Sequence, residues 1–153
     1  MATLTVTIRE DIVINGKDRG SEISQSISSI TQTLNRVLQV GTTEEDILNF
    51  QATRPDAGSL RADKMEYLRV TNLSSSATLD LRITDATNVK EYLLQIGAGE
   101  SFIMFNNEID VKRYPQSSAS DELGDAVSFT DIETIKAKAS ANASVEIFAA
   151  SID

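Results

Sequence analysis

Between Tyr67 and Phe105 the chain alternates apolar and polar residues in short runs separated by polar turns. The runs are Tyr67-Leu68-Arg69-Val70-Thr71-Asn72-Leu73, then Thr78-Leu79-Asp80-Leu81-Arg82-Ile83-Thr84, then Tyr92-Leu93-Leu94-Gln95-Ile96 and Ser101-Phe102-Ile103-Met104-Phe105. A period of two sends successive side chains to opposite faces of an extended strand. Short half-buried strands so close in sequence bury their apolar faces by stacking one sheet on another. The segment therefore predicts an all-β fold, a β-sandwich or jelly-roll-like architecture.

The rest of the chain extends that pattern. Leu4, Val6, Ile8, Ile12 and Ile14 share one parity and Thr3, Thr5 and Thr7 the other, with Asn15-Gly16 suited to the positive φ of a tight turn. We read residues 1–20 as an N-terminal strand or arm and residues 21–153 as one β-sandwich domain. Residues 21–40 fit two periods: Ile23, Ile27, Ile30, Leu34 and Leu38 recur at near-helical intervals, while Ile30, Leu34, Leu38 and Val40 share strand parity. The Ser and Thr residues between them compete for backbone hydrogen bonds inside a helix and favour the strand.

Gly97-Ala98-Gly99-Glu100 and Ser140-Ala141-Asn142-Ala143 both predict hairpin turns, and Val145, Ile147 and Ala149 mark a closing strand. Counted along the chain, these signals predict about seven to nine short strands and little helix.

Missing residue types exclude much chemistry. The chain has neither His nor Cys, which removes His-based triads, Cys nucleophiles, disulfides, thiolate metal sites and ordinary His-containing zinc sites. Gly97-Ala98-Gly99 matches only half of a dinucleotide fingerprint and lies between strands, so it predicts no phosphate cradle. The oxygen-rich loop Asp121-Glu122-Leu123-Gly124-Asp125 has the ligand chemistry of a calcium site without the spacing of an EF-hand. Carboxylates for glycoside hydrolysis can be drawn from Asp80, Asp85, Glu91, Glu100 and Asp110 in any combination, and no Trp offers a sugar platform.

With 14 Lys and Arg against 23 Asp and Glu, the net charge of −9 opposes binding to a phosphate backbone. No segment reaches the roughly 20 apolar residues of a bilayer span. The expectation is a soluble, non-enzymatic protein made in a cytoplasm, with no catalytic residue, cofactor or metal, and with neither nucleic acid nor membrane as partner. A carbohydrate-binding module or glycosidase is the alternative of a different class.

The strand-turn-strand series from Tyr67 to Ile83, with Ile96-Gly97-Ala98-Gly99-Glu100-Ser101-Phe102-Ile103, resembles a pattern in small virion structural proteins of tailed bacteriophages. The opening Leu4-Thr5-Val6-Thr7-Ile8-Arg9-Glu10-Asp11 and the ending Val145-Glu146-Ile147-Phe148-Ala149-Ala150 are similar in style to such proteins, especially those of marine phages. The resemblance implies a virion component present in many copies, either a capsid decoration or cement subunit or a tail or neck component. It also implies other virion proteins as partners, the major capsid protein among them, together with homo-oligomers of the chain itself. It transfers no functional residue. The residues propose their own site: an exposed strand carrying Leu4, Val6 and Ile8 would offer unpaired backbone groups to a neighbouring subunit.

Overall fold

Alternation along the chain becomes two stacked sheets in the computed structural model, which describes residues 1–51, 60–85, 91–105, 110–111, 127–128 and 132–152. The strands are β1 (Ala2–Glu10), β2 (Val13–Ile14), β3 (Lys17–Asp18), β4 (Ser21–Val40), β5 (Glu45–Gln51), β6 (Leu60–Arg61), β7 (Met65–Asn72), β8 (Leu79–Asp85), β9 (Glu91–Ile96), β10 (Ser101–Phe105), β11 (Asp110–Val111), β12 (Val127–Ser128), β13 (Ile132–Ala139) and β14 (Ala143–Ile152). One turn of 3-10 helix, Ala62–Lys64, is the helical element among the described residues. The calcium-like loop predicted at 121–125 lies outside the described residues.

One five-stranded sheet has the order β1-β4-β14-β7-β10 and the other the order β6-β5-β13-β8-β9. Pairing is antiparallel throughout both sheets except for the short parallel β5-β6 contact. The core lies between them. Val145, Ile147 and Ala149 of β14 stand opposite Asn72, Val70 and Leu68 of β7, and Leu79, Leu81 and Ile83 of β8 lie across from Ala139, Ala137 and Ile135 of β13. All of these side chains are buried. With so few aromatics, the core is packed from β-branched and aliphatic groups, whose stiff rotamers suit a pleated surface.

The ambiguous residues 21–40 form a single long strand, β4. Its second half lies beside β14 from Val40 to Ile30, with Leu34 and Leu38 packed on the main core. Long-range pairing decides between the two periods, because only the extended form lines β4 against all of β14.

Both predicted hairpins are corrected by the structure. Gly97–Glu100 joins β9 of one sheet to β10 of the other, and 140–142 joins β13 to β14 across the same gap. Each strand in these pairs buries one face against its own sheet's opposite layer, so the connections arch over the core rather than turning within a sheet. The turn between β7 and β8 does the same. At this end the arches are bonded to one another: Asn72 N–H donates to Glu100 O (2.9 Å), Leu73 N–H to Ser144 O (2.8 Å), Ser140 N–H to Thr78 O (3.0 Å) and Ala139 N–H to Gly41 O (2.9 Å).

Candidate functional site

Residues 2–29 build a two-stranded arm. β1 runs antiparallel to the first half of β4, from Glu10 opposite Ser21 to Ala2 opposite Ile30. On the other side of β4, β14 reaches only as far as Ile30. The ribbon therefore runs on beyond the end of β14 by about 30 Å of strand, at about 3.4 Å per residue from Ile30 to Ser21. Its second strand includes residues beyond 20. At the tip β2 pairs with β3 around Asn15 and Gly16, whose φ values of 52° and 72° are those of the tight turn that Asn-Gly favours.

The two faces of the arm differ. Leu4 stands opposite Ile27, Val6 opposite Gln25 and Ile8 opposite Ile23, so the apolar residues share one face. On the other, Thr7 and Ser24 share a hydroxyl hydrogen bond of 2.8 Å and Thr5 and Ser26 a longer one of 3.5 Å. Near the turn, Ser21 Oγ donates to the Glu10 carboxylate and Gly20 N–H donates to Asp18 Oδ1 at 2.8 Å.

The apolar face begins in a second hydrophobic cluster on the outer side of the first sheet. There Leu4, Val6 and Ile27 pack with Ile30, Tyr67, Phe105, Phe148, Ala150 and Ile152. The Tyr67 ring meets Phe105 edge-on at 5.3 Å and Phe148 at 5.9 Å, arrangements that suit the aromatic quadrupole. Burial pushes the Tyr67 phenol above its ordinary pKa, against a downward pull from the Arg69 cation.

Two irregularities shape the root of the arm. Leu4 pairs with Ile27 but Ala2 with Ile30, so β4 carries an extra residue there, and Ser29 takes a φ of 64°. Pairing with β14 slips again between Ser151 and Ile152. Such bulges re-aim a strand and sharpen its twist.

Of the three docking residues proposed from sequence, Leu4 and Val6 are half-buried at the root and Ile8 is 37% exposed further out. The outer arm also exposes Ile12, Val13, Ile14 and Ile23, the last at 67%. Ile23 belongs with the three, and its signal was the odd-number parity of Ile23, Gln25 and Ile27, hidden by the competing helical period.

The outward face of the second sheet carries two of the candidate carboxylates, Asp80 and Glu91. Asp80 accepts a hydrogen bond from Gln95 Nε2 (2.7 Å), and Arg82 pairs with both Glu91 (2.9 Å) and Glu44 (3.0 Å). Glu44, Asp80, Arg82 and Gln95 edge an open depression of about 750 Å³ that also takes in Leu93 and Lys138. Asp80 lies opposite Gln95 and Thr84 opposite Glu91, which sets Asp80 and Glu91 four residue steps apart, about 13 Å along the strands. Glu100 is held elsewhere, accepting from Gly97 N–H at 2.8 Å. The side chains of Asp85 and Asp110 lie outside the described residues. No cluster of metal-ligating residues occurs among the described residues.

No family model, curated protein or solved structure matches the chain.

Proposed function

We propose that this chain is a non-enzymatic structural subunit of a tailed-phage virion, of the capsid decoration or cement type, which uses its arm to join neighbouring subunits. The observation that carries this reading is the arm itself, a ribbon that leaves the sandwich with its backbone edges and the outer part of its apolar face, Ile8 and Ile23, exposed. A folded body with one projecting adhesive element suits a protein whose task is to link copies of a lattice. The ion-paired carboxylates of the second sheet suit a solvated outer face. A tail or neck position uses the same parts and differs only in the neighbour met.

The test compares the full chain with a variant in which residues 5–26 are replaced by Asn-Gly, which closes a shortened ribbon at the Leu4-Ile27 pair. Both are supplied during phage assembly, and purified particles are assayed by mass spectrometry and imaging. The full chain is expected at regular sites on the particle. The shortened chain is expected to keep its thermal transition and to be lost from particles. Purified particles that lack the full chain, or that take up the shortened chain at full occupancy, overturn the proposal.

A further inference from the structure

The arm has a bare edge. β1 covers one side of Ser21–Ser29, and among the described residues no strand pairs with the other side, because β14 stops at Ile30. Proteins guard such edges with Pro, Lys or inward charges. Here the charges Lys17, Asp18, Arg19 and Glu22 lie towards the tip, and the root half of the edge from Ile23 to Ser29 holds no charged residue and no Pro. A two-stranded ribbon alone in water is marginally stable, so this one lacks neighbours for much of its length.

We propose that two copies of this chain pair edge to edge through their arms, antiparallel, with a two-fold axis at Ile23. The proposal takes up the view of the arm as an assembly device and adds its partner, edge and register.

Geometry selects the register. The free edge runs from Lys17 in β3 to Ser29 in β4, and its midpoint is Ile23. Centring the pair there overlaps the two edges along their whole length. Centring it closer to the root would drive each tip into the other copy's β14. A slip of one residue would set the apolar face of one arm beside the polar face of the other.

In the centred register Ile23 meets Ile23, Ser21 faces Gln25, Glu22 faces Ser24, Arg19 faces Ile27 and Asp18 faces Ser28. No like charges stand opposite. The result is a four-stranded sheet with Ile8 and Ile23 of each copy in one apolar row, which covers part of the 67% exposed Ile23.

Charge favours the same contact. Residues 1–30 carry Arg9, Lys17 and Arg19 against Glu10, Asp11, Asp18 and Glu22, a net charge of −1 out of −9. The remainder carries −8 and repels its copy. Contact through the arms brings together the nearly neutral parts and holds the acidic bodies at opposite ends.

Sedimentation velocity on the purified protein tests this without any particle. The wild type is expected to be a reversible dimer. Ile23→Lys and Ile23→Glu each place like charges across the axis and are expected to weaken it by about a hundredfold. An equal mixture of the two is expected to restore the dimer as a heterodimer. Thr5→Lys, on the β1 edge, is expected to leave dimerisation unchanged. All three substitutions are at exposed positions, and unchanged circular dichroism verifies folding. A monomeric wild type, an Ile23→Lys dimer of wild-type strength, or dissociation by Thr5→Lys instead overturns the proposal. Since particle incorporation is scored separately, a chain that dimerises but is absent from virions overturns the virion reading alone.

Discussion

Asn72 shows how much one side chain can hold. It is fully buried, its Nδ2 donates to Ala77 O (2.7 Å) and Gly97 O (3.0 Å), and its Oδ1 accepts from Ser74 N–H (3.1 Å). It thus ties two of the arches that cross between sheets. Alanine there leaves buried backbone groups unpaired, and we expect Asn72→Ala to lower stability by about 2–4 kcal/mol in urea unfolding. A change below about 0.5 kcal/mol would show that water replaces the amide.

Tyr67 supplies a pH test. Below its ordinary value of 10.0 both folded and unfolded chains keep the phenol protonated. Above it the unfolded chain ionises first, so stability falls as pH rises towards the higher folded-state pKa. The melting temperature of the wild type should therefore drop more steeply than that of Tyr67→Phe between about pH 9 and about pH 11. Equal slopes would remove Tyr67 from the alkaline transition.

Among the elements, the arm and the body are expected to respond separately. A Cβ on Gly20 would come within 2.2 Å of Glu10 O, a backbone atom that cannot step aside. Gly20→Ala should therefore open the outer ribbon and raise amide exchange across residues 7–24, while the main thermal transition moves by less than a few degrees. A large loss of melting temperature would mean that arm and core unfold together.

Strand existence was legible in the sequence because alternation is local: Leu79, Leu81 and Ile83 announce β8 without help from any partner. Sheet membership was not. Gly97-Ala98-Gly99-Glu100 has the composition of a hairpin turn, and only the distant bonds of Asn72 and Ser144 make such turns into arches. The site was half legible for the same reason. Leu4, Val6 and Ile8 alternate plainly, whereas Ile23 sits in a run with two periods, and the bulge at Ser29 depends on where β14 ends.

The molecule as a whole sets surface ion pairs against self-repulsion. Pairs such as Arg82 with Glu44 and Glu91 are more than a third exposed and contribute little each. The excess of nine negative charges acts over the entire surface. Repulsion should win, so adding salt up to about 0.5 M, where screening is nearly complete, is expected to raise the melting temperature in calorimetry. A fall would show that the ion pairs of the second sheet outweigh the net charge.

β4 has a mechanical consequence. The strand that forms the arm continues into the body, where ten residue pairs join it to β14. A pull along the arm would load that ladder in shear, with its bonds sharing the force, and would not peel them one at a time. A partner gripping the tip would thus tug directly on the centre of the first sheet.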